Sequence, residues 1–365
     1  MNKPFSGQYL AEYLTNDGKR GFLTLNVDPD KNGVGLAYLT GVLGTGFAVY
    51  DCIAHVNESG LITGRAKRSE HRERGWDHGR VLSADDQREI SFSISTIGES
   101  QEISVQDRDS TYVVPLVPVA QSGKAVPTEL LSWKDFLEWV DLMKSRNRRS
   151  IFRGVASASY GLKTSFHRAD RVDLERYRDS DLPAFVDLAE TIGHIRFDGD
   201  NGAKWGFAQH HGFPTPLLDW TESPYIAAYF AFHERVERRN FHNGEKVRIY
   251  CLDGDFVNGN QPRSISMADV FPRVWVFKPN TKGNQRLVFQ QGLFLHSNVV
   301  EIEAFLIYLS SGRDSPYVSA VEMSAELALE AVDQMGYMGI SHLSLFPGLD
   351  GAAKHAALRQ FYLNI

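Results

Sequence analysis

Residues 209–232, QHHGFPTPLLDWTESPYIAAYFAF, gather more potential chemistry than any other stretch of this 365-residue chain. Two adjacent histidines, a Gly-x-Pro turn and an Asp-Trp-Thr triplet lie among apolar residues, where an unsatisfied polar group is costly. His210, His211, Asp219 and Trp220 therefore either satisfy one another in a rigid core or face a ligand. An imidazole can hold a hydroxyl or move a proton near neutral pH. His210 is the better candidate of the pair, because it follows Gln209 ahead of the His211-Gly212 turn. Adjacent histidines do not form the i, i+4 metal-binding face of a helix, and no Cys or Glu neighbours complete a ligand set, so no metal is expected. A second candidate is Phe152-Arg153-Gly154. An arginine at the end of a buried strand can aim its fork into a cleft and match a phosphate pair, and Gly154 would let the phosphate come close. Arg153 could equally serve an ordinary structural salt bridge. Trp220 and Tyr225 could form a stacking wall or belong to the core, whereas Phe230 at helical spacing reads as core.

The elements that must carry these residues divide into two kinds. Residues 1–118 read as a small antiparallel all-β domain, a barrel or a sandwich. YLAEYL, the turn Asn16-Asp17-Gly18 and GFLTLNVD form a hairpin signal, and GVGLAYLTGV, GFAVYDCIAHV, LITGRAK, EISFSIS and YVVPLVP follow as short strands. Residues 119–129, with Gln121-Ser122-Gly123-Lys124, read as a linker. Residues 130–365 read as an α/β or α+β domain. Ser132 opens a helix carrying Trp133, Phe136, Leu137, Val140 and Met143 on one face. A helix over 183–197 is expected to carry Phe185, Leu188, Ala189, Ile192 and Ile195 on one face. Ser223-Pro224 caps a helix over 224–238, VRIYCL and VWVFKP read as strands, and Ser324 caps a late helix that stops at Gly336.

These C-terminal motifs resemble the FRG domain, a family named for the Phe-Arg-Gly seen at 152–154. The resemblance continues through the 209–232 stretch, NQRLVFQQGLFLHS at 284–297 and GISHLSLFPGLDG at 339–351. The motif order is also similar to that of the ADP-ribosyltransferase superfamily. That likeness implies an NAD-using enzyme: Arg153 as the NAD-binding arginine, Asp219-Trp220-Thr221 and the alanines after it as the second element, and Gln291 where that superfamily carries a glutamate. Cleaving the bond between nicotinamide and ribose develops positive charge on the sugar, which a carboxylate stabilises. A glutamine keeps the hydrogen bond and loses the charge, so Asp219 is the substitute carboxylate. The expected catalytic residues are Asp219, Gln291 and His210, and those binding NAD are Arg153, Gly154, Thr221, Trp220 and Tyr225.

The acceptor implied is a protein or a nucleic acid, in a bacterial toxin or phage-defence setting. The alternative is a non-catalytic nucleotide or nucleic-acid sensor, with phosphate contacts from the basic segments Lys144–Arg149 and Arg65–Arg80, which otherwise read as solvated surface. A hydrolase built on His and Asp is weaker, for want of clustered acidic ligands. A net charge of −6 gives no global attraction to nucleic acid or to anionic membranes. Two distant cysteines, Cys52 and Cys251, suggest a reducing compartment. With no secretion signal and no apolar stretch of membrane-spanning length, a cytoplasmic protein of prokaryotic style, without membrane contact, is expected.

Overall fold

The computed structural model describes residues 3–14, 18, 20–29, 34–39, 49–68, 89–98, 100–107, 110–119, 123–146, 149–193, 196–197, 201–239, 244–261, 272–278 and 285–363. Asn16 and Asp17, residues 69–80 with His71 and His78, Asn147, Arg148 and Ile195 lie outside the described residues.

Alternating apolar residues in the first third build β1 (Lys3–Pro4), β2 (Gly7–Leu14), β3 (Arg20–Val27), β4 (Val34–Leu39), β5 (Val49–Val56), β6 (Ile62–Arg68), β7 (Glu89–Ile97), β8 (Ser100–Asp107) and β9 (Ser110–Pro118). Strands β2 to β9 pair antiparallel with their neighbours in sequence, and β9 returns to β2 through Ala11↔Pro118 and Glu12↔Val117. The ring closes as an eight-stranded up-and-down barrel, which leaves no unpaired edge in that ring. Inward positions such as Tyr9, Ala11, Leu23, Leu25, Phe92, Ile103 and Val105 fill it, as expected for a barrel of this strand number.

A second sheet runs β10 (Pro127–Leu130), β16 (Val318–Ser324), β13 (Lys246–Leu252), β11 (Ile151–Val155), β12 (Leu217–Thr221), β15 (Gly292–Ser297) and β14 (Val274–Phe277) in spatial order. Only the β10–β16 pair is parallel; the other pairings are antiparallel, so this C-terminal region is α+β. Residues 127–129 of the stretch read as linker join this sheet as part of β10. Helices α1 (Trp133–Arg146), α2 (Leu182–Gly193), α3 (Asn201–His210), α4 (Pro224–Glu237), α5 (Gln285–Phe289), α6 (Ile302–Leu309), α7 (Ala328–Tyr337), α8 (His342–Leu345) and α9 (Leu349–Ala357) surround it. Ser132 and Asp135 cap α1 reciprocally, and Ser223 caps α4 by accepting from the Ile226 amide. Helices α1, α4 and α7 pack on one face of the sheet, and α6 packs on the other.

The apolar face read for α2 is not the one that is buried. Leu182 and Val186 are its buried residues, while Leu188 is 63% and Ile192 78% exposed. The helix is apolar on two sides, and Phe166, Tyr177 and Phe213 cover the side of Leu182 and Phe185.

The outer face of the β2–β3 hairpin is buried against the C-terminal region. Leu10 enters that region's core. The Gln8 amide donates to the Asn298 carbonyl at 2.8 Å and accepts from the Val300 amide at 3.0 Å, and the Tyr308 hydroxyl donates to Glu12. Asp28 accepts from the amides of Val172 and Asp173 at 2.7 and 3.1 Å and lies 3.3 Å from Arg171. Burial pushes the Asp28 carboxyl above its ordinary range, against the lowering by those amides and by Arg171.

Candidate functional site

Strand β11 lies fourth of seven, and its two sides differ. Against β13 it pairs along its whole length, Ile151↔Leu252 to Val155↔Arg248. Against β12 it makes one pair, Phe152↔Thr221, and then the strands part. Strand β12 stays with β15 from Leu217 to Thr221. The fork leaves a cavity of about 760 Å³ lined from both sides, a size suited to a nucleotide-scale ligand.

Arg153 stands at the fork. Its Nη1 donates to the backbone carbonyl of Asp219 at 2.6 Å, while its buried Nε has no hydrogen-bond partner among the described residues. Burial pulls the guanidinium below its ordinary pKa, only partly countered by Asp219. Arg153 thus meets the Asp219 main chain, where a structural salt bridge would meet its carboxylate. Gly154 also lines the cavity, but its lack of a side chain has another cause. A Cβ there would sit 2.7 Å from the carbonyl carbon of Ala227 and closer still to its oxygen. Glycine is required so that α4 can lie directly on β11.

The other expected residues separate into three groups. His210, Asp219, Trp220 and Thr221 line the cavity with Arg153 and Gly154. The Asp219 carboxylate accepts from Gln209 Nε2 at 2.9 Å, and Gln209 Oε1 in turn accepts from the Thr215 hydroxyl. His210, at the end of α3, has its pKa lowered by desolvation, then by Arg286 and His211. His211 instead packs on Phe207, ring centres 4.2 Å apart. The Thr221 hydroxyl is already engaged, donating to the Gln290 carbonyl at 2.8 Å and accepting from the Ser223 amide at 3.1 Å. Trp220 is core on one side and cavity wall on the other. Gln291 is exposed at a left-handed turn, φ 46°, and Gln290 takes the lining position. Tyr225 turns from the cavity to pack edge-on against Phe136, ring centres 6.1 Å apart.

Sequence reasoning missed most of the charge. Arg153, Lys163, Arg168, Arg238 and Arg286 line the cavity against two carboxylates, Asp219 and Glu234. Arg238 is paired with Glu234 at 2.9 Å, and Arg168 donates to the Lys163 carbonyl at 2.6 Å. Arg286 lies over the Phe346 ring at 4.2 Å, its pKa lowered by burial and raised by Asp219. Cations focused in a concave, partly dry site attract anions even on a net acidic chain. Arg286 sits inside the NQRLVFQQG motif and was the detectable signal there; Lys163 and Arg168 carry none. Among the described residues no group of three or more His, Cys, Asp or Glu could hold a metal ion. Of the basic segments, Arg65 ion-pairs with Glu89 on the barrel surface at 3.5 Å, and Arg149 donates to Asn258 at 2.9 Å.

Residues 148–240 match the FRG domain. That span carries Arg153, the fork, His210, Asp219 and α4, while Arg286 and Gln290 lie beyond it. No curated protein and no solved structure matches the chain. No described helix is long and apolar enough to cross a membrane.

Proposed function

We propose that the fork between β11 and β12 binds a phosphate-bearing nucleotide, with NAD as the ligand that best joins its size to its chemistry. One observation carries this: a half-buried arginine whose buried Nε is unpartnered and whose Nη1 bonds a main-chain carbonyl, in a cavity lined by five cations and two carboxylates. A buried cation without an ion-pair partner is disfavoured unless a ligand completes it. A pyrophosphate supplies the paired oxygens that an arginine fork matches.

Asp219 supports the finer reading, ADP-ribosyl transfer to a protein or nucleic-acid acceptor. Its carboxylate lines the cavity and Gln209 holds its orientation. It could stabilise an oxocarbenium-like sugar. Glu234 is engaged with Arg238, and Gln291 points away, so Asp219 is the carboxylate on which transfer depends. Without turnover, the same cavity serves a nucleotide sensor.

Calorimetry with NAD on the wild type, Arg153→Ala and Arg153→Lys tests the binding step. Losing a charge-assisted contact costs about 1.5–3 kcal/mol, roughly ten- to over a hundredfold in affinity. Lysine should recover only part of this. Nicotinamide release that disappears in Asp219→Asn while NAD still binds supports transfer or hydrolysis; binding without release supports the sensor. Wild-type protein with no affinity for NAD, ADP-ribose or AMP overturns the nucleotide reading.

A further inference from the structure

Helix α4 stands between two cavities. Phe230, Glu234 and Arg238, one helical turn apart, line the fork cavity and also a smaller cavity of about 290 Å³. Tyr229, His233 and Glu237, each one position earlier, face the smaller one alone, opposite His342, Phe346 and Lys354.

The smaller cavity is walled by rings. His233 stacks on His342 with centres 4.8 Å apart, His342 on Phe346 at 4.2 Å, and Tyr229 lies 5.0 Å from His233. Three polar atoms in this wall are buried without a hydrogen-bond partner: the Tyr229 hydroxyl, His233 Nε2 and His342 Nδ1. Glu237 lies 3.8 Å from His233 Nε2, too far for a hydrogen bond. Burial lowers both imidazoles to about 4, so near neutral pH each offers one donor and one acceptor nitrogen. The charged residues around them are two carboxylates, Glu234 and Glu237, and two cations, Arg238 and Lys354.

The 339–351 motif builds this wall. A Cβ at Gly351 would lie 2.8 Å from the Phe346 carbonyl carbon, and Gly348 takes φ +121°. The turn therefore brings α9, with Lys354, close behind Phe346. The far side of Phe346 carries Arg286, which belongs to the fork cavity.

We infer that the smaller cavity recognises the base of the nucleotide whose phosphates sit at Arg153, and that the base is a planar, uncharged nitrogen heterocycle of the adenine kind. Stacking on aromatic walls and hydrogen bonds to neutral imidazoles and a phenol suit such a ring. With two carboxylates and two cations in the lining, the wall offers no net negative charge to select a cationic nicotinamide ring. The inference rests on the phosphate reading of the fork.

The test compares AMP, nicotinamide mononucleotide and ribose 5-phosphate by calorimetry on the full chain. AMP is expected to bind about tenfold or more tighter than ribose 5-phosphate, and tighter than nicotinamide mononucleotide. His342→Phe and Tyr229→Phe keep the rings and remove the polar atoms, and each should shrink the ratio of AMP to ribose 5-phosphate affinity. Arg153→Ala should weaken both probes alike. Equal binding of AMP and ribose 5-phosphate overturns the base pocket and leaves the phosphate reading standing; the orphan atoms then hold a buried water only. Preference for nicotinamide mononucleotide, or an AMP advantage that survives both variants, also overturns it. If ribose 5-phosphate and AMP both fail to bind, the phosphate reading falls and the base pocket with it. Either variant decides alone should the other not fold.

Discussion

The barrel and the seven-stranded sheet are built from the same kind of strand, yet they treat their ladders differently. The barrel closes, so each strand from β2 to β9 has a neighbour on both sides, and its interior is filled with apolar side chains. Its inward-facing Tyr9 hydroxyl is matched by Gln101 at 2.6 Å. The second sheet opens between β11 and β12 after a single pair, and Arg153, with an unmatched buried donor, stands at the opening. A closed ladder leaves nothing for a ligand to complete. An interrupted one exposes backbone carbonyls and one charged side chain inside the protein, where the low dielectric magnifies their demand for a partner. The candidate site follows from how β11 is paired, and α4 resting on Gly154 closes the other face of that strand.

The largest expected effect breaks that support. In Gly154→Val the new side chain collides with the Ala227 carbonyl, and α4 must move as a body. A loss on the order of 3–5 kcal/mol is expected, with loss of nucleotide binding. The barrel counterpart is Gly98→Val, at a left-handed turn with φ +63° and no atom near the added Cβ. It should cost about 1 kcal/mol from backbone strain alone. Urea unfolding of both variants checks this; equal losses would dissolve the distinction.

Ile103→Ala probes the other region. Ile103 is fully buried in the barrel, and the cavity left behind should cost about 2–5 kcal/mol. Nucleotide affinity of the protein that remains folded should match the wild type. We propose that the chain divides between Pro118 and Pro127, and a tenfold change in affinity here would mean that barrel packing reaches the fork.

Acid should act mainly on the C-terminal region. Burial lowers His167 and His296 to about 3, and His233 and His342 to about 4, and all four lie in that region. Below pH 6.5 the unfolded chain takes up protons that these folded imidazoles refuse, so unfolding becomes more favourable as pH falls. Their contribution is complete above about 6.5 and is lost toward 4 and then 3. Each histidine contributes up to about 1.4 kcal/mol per pH unit in that window. Asp28, with a raised carboxyl, works in the opposite direction. Denaturant unfolding at pH 7, 6 and 5 measures the slope, and a flat profile would mean that the imidazoles gain partners on protonation.

Much of the barrel is legible because alternation survives in the sequence. Strand β8 escapes because Gln101, Glu102, Ser104 and Gln106 leave only Ile103 and Val105 as its apolar signal among 101–106. Arg153, Asp219 and His210 are legible through motif order, but the cations that join them come from segments far apart in the sequence. Lys163 and Arg168 reach the cavity only through the fold around α4 and the fork. Gln291 differs by a single position: its left-handed turn sends the side chain to solvent and leaves Gln290 on the wall. Tyr225 is a matter of helical phase. It stands one residue after the first-turn proline of α4, on the side that meets Phe136. Periodicity places such residues on faces, and only packing decides what each face meets.

The smallest effect is also the sharpest, because its sign separates a ligand-binding arginine from a structural one. Arg171 is half-buried between Asp28 and Asp181, 3.3 and 2.5 Å away. Arg171→Met leaves two carboxylates short of a cation and should destabilise by about 2 kcal/mol. Arg153 lies in the fork with one bond to a carbonyl and a buried donor unmatched. Arg153→Met removes a desolvated cation that has no carboxylate partner, and the orphaned Asp219 carbonyl offsets part of the gain. The net change should be a stabilisation of about 1 kcal/mol, as when a buried charge held for function is replaced by an apolar side chain. NAD affinity should fall by roughly ten- to over a hundredfold in the same variant. Opposite signs in stability for the two substitutions, read from urea midpoints at equal slope, support the assignment. If Arg153→Met is as destabilising as Arg171→Met, the guanidinium serves the fold, and the fork has lost its strongest argument for an anionic ligand.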